Sequence, residues 1–153
     1  MGKYIGESVL RKEDPRLVTG EAKYLEDIKL SGMVHAVVKR SDYAHAKIKN
    51  IDTSEAEKVP GVIGVWTGKD FEDVNPMPCA WQAGGVDNNA NTPRVLEIDK
   101  VTFTGQGVAV VVAEDRNIAE DASSKIVVDY EELPTEVSAE EAIKPGAPQL
   151  HVN

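Results

Sequence analysis

Apolar positions along this chain fall mostly in short runs separated by turn residues, the pattern of strands joined by short helices. Met33-Val34-His35-Ala36-Val37-Val38 is the first such run. Lys47 to Ile51 predicts a second strand with Ile48 and Ile51 turned inward. Asp52-Thr53-Ser54-Glu55 is a helix-start pattern, Asp52 accepting from first-turn N–H groups and Glu55 reaching back; Pro60-Gly61 ends that helix. Val62 to Trp66 is the next strand, and Thr67 to Asp70 offers another cap. Lys100 to Phe103 leads to a turn at Gly105-Gln106-Gly107. The unbroken run Val108 to Ala113 predicts the central strand of a sheet. Asp115 caps a predicted helix to Lys125, on which Ile118, Ala122 and Ile126 recur every four residues beside Ala119. Ile126 to Tyr130 is a last strand, and Ser138-x-x-Glu141 a capping box for a short helix that stops at Lys144-Pro145-Gly146.

The order strand, strand, helix, strand, loop, strand, helix, strand, helix predicts an α/β or α+β fold, a mixed sheet with short helices. Two stretches break the pattern. Residues 1–32 have weak periodicity and crowded charges, and predict an extended arm ending at Ser31-Gly32. Residues 72–94 hold three prolines, Gly84-Gly85 and four asparagines, and predict a long loop, functional or disordered. With no repeat and no low-complexity linker, 153 residues predict a single domain over 1–153.

Composition narrows the partners. The net charge is −9 and no run of Lys and Arg exists, which argues against nucleic acid and anionic membranes. One cysteine gives no internal disulfide. There is no apolar stretch of spanning length and no secretory h-region at the N-terminus, so the expected location is cytoplasmic.

The search for chemistry finds no constellation. Gly105-Gln106-Gly107 precedes a strand rather than a helix and lacks the third glycine of a dinucleotide loop, so it reads as a plain turn. His35, His45, His151 and Cys79 do not pair at metal-ligand spacing. His35 reads as a structural histidine of a strand, and His45 as a hydrogen-bonding brace of its turn. Cys79 has no neighbouring cation in the sequence to activate it, and the many carboxylate pairs are expected by chance among 26 acids.

Longer strings carry more. They run Arg11-x-x-Asp14, Thr19-Gly20-x-x-x-Tyr24-x-x-Asp27-Ile28 and Gly32-Met33-x-His35-Ala36, then Arg40-Ser41-x-x-Ala44-His45-Ala46-x-Ile48-x-x-Ile51-Asp52-Thr53-Ser54-x-Ala56. After them come Pro60-Gly61-Val62-x-x-Val65-x-Thr67-x-x-Asp70, Val101-x-Phe103-x-Gly105-Gln106-x-Val108-Ala109, Ala119-x-Asp121-Ala122 and Tyr130-Glu131-x-Leu133-Pro134. In this order and spacing they resemble the N-terminal α/β hammerhead domain of the xanthine dehydrogenase and aldehyde oxidase family. The carbon-monoxide-dehydrogenase-type large subunits are the most similar, and Met77-Pro78-Cys79-Ala80-Trp81 resembles a stretch in some of them. The resemblance covers nearly the whole chain from Gly6.

The resemblance implies a part of a molybdenum hydroxylase that is non-catalytic alone and docks onto the molybdopterin-bearing chain. Molybdopterin with its molybdenum, iron–sulfur clusters and FAD belong to the parent assembly, with iron–sulfur and flavin subunits as further partners. These residues contain no match to the pterin-binding loops or the catalytic glutamate, and one cysteine cannot supply the four protein ligands of a two-iron cluster. No catalytic, cofactor or metal residue is therefore carried over. The candidate interface is Arg11, Asp14, Arg16, Tyr24 and Asp27 of the arm with Pro78, Cys79, Trp81 and Gln82 of the loop. The competing role for each is local, such as Arg11 or Arg16 pairing with Asp14 or Asp27. An autonomous binding module, its pocket lined by the 72–94 loop, is the alternative. An enzyme using Cys79 or a histidine is a distant third.

Overall fold

A computed structural model describes residues 4–78 and 92–151 of the chain. Two compact units are present, Met1–Met33 and Val34–Asn153.

The first unit is more ordered locally than an extended arm. It forms α1, Asp14–Val18, and a 3-10 turn at Leu25–Asp27. Pro15 at the start of α1 explains the difference, since its fixed φ suits the first helical turn and its missing N–H is not needed there.

The described residues of the second unit hold six strands: β1 His35–Arg40, β2 Ala46–Asp52, β3 Val62–Thr67, β4 Lys100–Val101, β5 Gly107–Ala113 and β6 Val127–Glu132. Its helices are α2 Ser54–Glu57, α3 Arg116–Ser124 and α4 Ala139–Ala142. The strands are shared between two three-stranded sheets, ordered β1-β5-β3 and β4-β2-β6, with every pairing antiparallel. This is the α+β form of the expected class. The chain leaves β5 through α3 and enters β6 of the other sheet, so the crossover makes no parallel pair.

The run 107–113 is the central strand of its sheet, as its apolar continuity requires. Ala109, Val111 and Ala113 turn to one face, where they join Ala56, Ala119, Ala122 and Ile126 in the main core. Small alanines on both surfaces let α3 lie close to the sheet. Asp115 caps α3 as its sequence predicts, accepting from the Asn117 N–H at 2.8 Å. A second cluster, Ala46, Val101 and Val108, packs with Ile48 and Tyr130 of the other sheet.

Ile48 and Ile51 both pack inward although three residues apart. Alternation alone would send them to opposite faces. The register of β2 against β6 slips between Ile48 and Asn50, and that bulge restores Ile51 to the core side.

The caps came out unevenly. At Thr67–Asp70 the Asp70 carboxylate accepts the Thr67 N–H at 2.7 Å, as expected. Around Asp52 the strand runs through Asp52 itself and Thr53 is the N-cap; Asp52 accepts from the Ser54 N–H, while Glu55 pairs with Lys58 instead of reaching back. The Ser138 box is half formed. Its hydroxyl faces the Glu141 N–H at 3.5 Å, but Glu141 binds Lys144 and Glu136 takes the Ser138 N–H. A cation one turn along outcompetes the reciprocal bond in both places.

Candidate interface and the turns that frame it

Within the arm the charged candidates satisfy one another or the local backbone. Arg11 Nε lies 3.2 Å from Asp14 Oδ1 in an exposed pair, which contributes only about 0–1 kcal/mol. Asp27 accepts the Tyr24 N–H at 2.9 Å and donates its own N–H to the Tyr24 carbonyl. Arg16 contributes its carbonyl, which accepts from the Ala22 N–H at 2.8 Å. The local ion pair weighed for these residues is present between Arg11 and Asp14, while Asp27 holds the Tyr24 backbone instead.

What the charged candidates leave out is the apolar surface beside them. Leu10, Val18 and Leu25 are each more than 80% exposed, and Ile5, Val9, Tyr24 and Leu30 are exposed as well. Exposed leucines singly are ordinary; here several large apolar side chains are exposed within one 33-residue unit. The signal in the sequence was the apolar residues themselves, which had no period and so no core to join. Of the loop candidates, Pro78 is described and exposed; Cys79, Trp81 and Gln82 lie outside the described residues.

The described ends of the 72–94 loop, Pro76 and Thr92 to Arg94, border a cavity of about 460 Å³ that also touches Glu97, Lys100 and Gln106. Gln106 is buried and fully engaged. Its Oε1 accepts the Thr102 N–H at 2.6 Å and its Nε2 donates to Glu97 Oε1 at 2.6 Å. Glu97 also accepts the Arg94 N–H. Sequence reading passed over Gln106 as a turn residue, and no spacing signal marked it.

The turns named by the sequence hold one another across the unit. Arg40 donates from Nη1 to the Gly105 carbonyl at 2.8 Å, and the Ser41 N–H donates to the Gln106 carbonyl at 2.9 Å. Gly105 returns its N–H to the Ser41 carbonyl. His45 is buried; Nδ1 sits 2.7 Å from the Pro134 carbonyl, which can only accept, so Nδ1 carries the proton. The His45 carbonyl accepts the Leu133 N–H at 2.9 Å. His45 therefore braces the end of β6 rather than its own turn. Burial pushes the Tyr130 phenol up, against a lowering influence from Ser41.

Electrostatics elsewhere are those of solvated pairs. Lys49 and Lys47 hold Glu131 below the usual glutamate range, all three about half exposed. Among the described residues no group of three or more His, Cys, Asp or Glu could hold a metal ion. Those described residues therefore offer no ligand set for an iron–sulfur cluster. No helix among the described residues is long and apolar enough to cross a membrane.

Fold and turns together define an α+β domain. Residues 19–134 match the family described as aldehyde oxidase and xanthine dehydrogenase, a/b hammerhead domain, and the chain belongs to that family. It is 44% identical over 140 residues to the carbon monoxide dehydrogenase large chain of Afipia carboxidovorans, covering 92% of this chain and 17% of that one. The nicotine 6-hydroxylase large subunit of Paenarthrobacter nicotinovorans is 41% identical, with 93% and 17% covered. The crystal structure of quinoline 2-oxidoreductase from Pseudomonas putida 86 superposes with a TM-score of 0.82 at 42% identity, over 95% of this chain and 18% of that one. The chain thus spans about one-sixth of the length of the curated relatives it matches.

Proposed function

We propose that this chain is the hammerhead part of the large subunit of a molybdenum hydroxylase. It is an assembly domain, non-catalytic alone, that docks onto the molybdopterin-bearing polypeptide. Iron–sulfur and flavin subunits complete the parent assembly, which works in the cytoplasm. One observation carries the reading: 92% of this chain is matched by 17% of a carbon monoxide dehydrogenase large chain. The apolar arm supports it, because docking needs surface of that kind. Substrate choice rests with the remainder of the subunit.

The test is an affinity tag on this chain in its source organism, with molybdenum and iron counted in the eluate. A larger polypeptide arriving with both metals is the expected result. The chain eluting alone and free of metal refutes the reading.

A further inference from the structure

The β1-β5-β3 sheet carries apolar side chains on both faces. One face carries the main core beneath α3, with α2 on the same cluster. The other presents Ala36 and Val38 from β1, Val110 and Val112 from β5, and Gly64 and Trp66 from β3. Register places them together: Ala36 and Gly64 both stand opposite Val112, and Val38 and Trp66 both stand opposite Val110.

The indole of Trp66 lies flat over Gly64, where a Cβ would meet its ring at 2.5 Å. Leu96 closes one end of the face beside Gly107 and Val38. The rest is open: Val38 is 37% exposed, Ile63 at the bulge is 55% exposed, and Val110, Val112 and Trp66 are half-buried. Arg40 follows Val38 on this side of β1 and lines the same depression as Ala36 and Val38. A central strand this apolar on both sides belongs under cover on both sides.

We infer that this face is the seat of an apolar segment of the molybdenum-bearing polypeptide; the inference rests on the function proposed above and names the surface it uses. The area decides between that occupant and a second copy. Three strands 4.8 Å apart, open over about four residues, give roughly 200 Å². A stable association of separate proteins needs about 800 Å² on each partner. A patch a quarter of that size holds a neighbour already kept close by other contacts of the same subunit. The matched regions of the relatives are accompanied by more than four-fifths of a longer chain, which is the source of such a neighbour.

Hydroxyl-radical footprinting of Ala36, Ile63 and Trp66 tests it, comparing this chain alone with the assembly brought down by its tag. Labelling of Ile63 and Trp66 should fall at least fivefold in the assembly. Ala36→Glu and Ile63→Asp should leave the melting of the isolated chain in place and cut the molybdenum recovered with the tag at least tenfold. If either variant fails to fold, the wild-type footprint decides. Equal labelling in both states overturns the face while the docking function stands. Low labelling in the isolated chain with the mass of two copies overturns it in favour of self-association. A tag that recovers no molybdenum-bearing polypeptide sinks the proposed function and this inference with it.

Discussion

Gly61 and Gly105 share a backbone conformation and differ in their surroundings, so they separate two physical effects. Both lie in the left-handed region, at φ +88° and +93°. An alanine at either place costs about 1–2 kcal/mol for that conformation. The gain from a stiffer unfolded chain is about 0.4–1 kcal/mol at both sites and cancels in the comparison. At Gly105 nothing lies within 4 Å of an added Cβ. At Gly61 the Cβ would sit 2.8 Å from Ile118 Cδ1, well inside carbon–carbon contact.

Ile118 packs against the main core and must rotate away, which costs about 0.5–1.5 kcal/mol more. Gly61→Ala should therefore destabilise the chain by about 1 kcal/mol more than Gly105→Ala. Urea unfolding followed by circular dichroism reads this as a lower midpoint at unchanged slope. Ile118→Val removes the offending methyl and costs about 0.5–1.5 kcal/mol in the wild-type background. In the Gly61→Ala background it should cost about 1 kcal/mol less. Equal losses at the two glycines, or a cycle without coupling, would refute the reasoning.

Two further outcomes are expected. Hydrogen bonding from the Asn117 N–H, the leading influence, holds the Asp115 carboxyl below its ordinary 3.8. Its stabilisation is then present above that value and lost as pH falls through the lower folded one, so Asp115→Asn, which keeps an acceptor, should flatten the acid side of a stability profile below about pH 4; an unchanged acid limb would refute the cap's share in it. In the arm, Leu10→Ser with Leu25→Ser should leave the melting of the isolated chain unchanged and lower the molybdenum recovered by the tag severalfold. Arg11→Ala should change neither, because its pair with Asp14 is exposed. The reverse ranking in the pull-down would return the interface to the charged residues.

Legibility followed the range of the physics. The run 108–113 declared a central strand because continuous apolarity has few other uses, and Asp115 declared a cap because its acceptor and its N–H partner are two residues apart. Bonds with a nearby rival were harder. Glu55 and Glu141 each had a lysine three residues on, and the ion pair took the carboxylate from the backbone. The slip between Ile48 and Asn50 was implicit in two isoleucines three apart, yet only pairing with β6 reveals it. Gln106 stood in a family string, but its bonding role was not legible, since its partners Thr102 and Glu97 are recruited by the fold and form no recognisable spacing. In the arm, charge drew attention to residues that satisfy each other, while the leucines beside them had no period to report.

The strings that carry the family resemblance and the surfaces proposed for docking are mostly different residues, for a physical reason. Arg40-Ser41 binds Gly105-Gln106, and His45 binds Leu133-Pro134. Thr67 binds Asp70, and Gly61 holds a backbone conformation other residues resist. Each fixes a turn, where one side chain or one φ value decides whether the chain can pass, so few residue types fit. The open sheet face and the arm ask only for apolar area. Valine, isoleucine, leucine and alanine supply it interchangeably, and interchangeable residues make no motif. A domain that docks, as proposed above, is then recognised by its turns while other residues make its contacts.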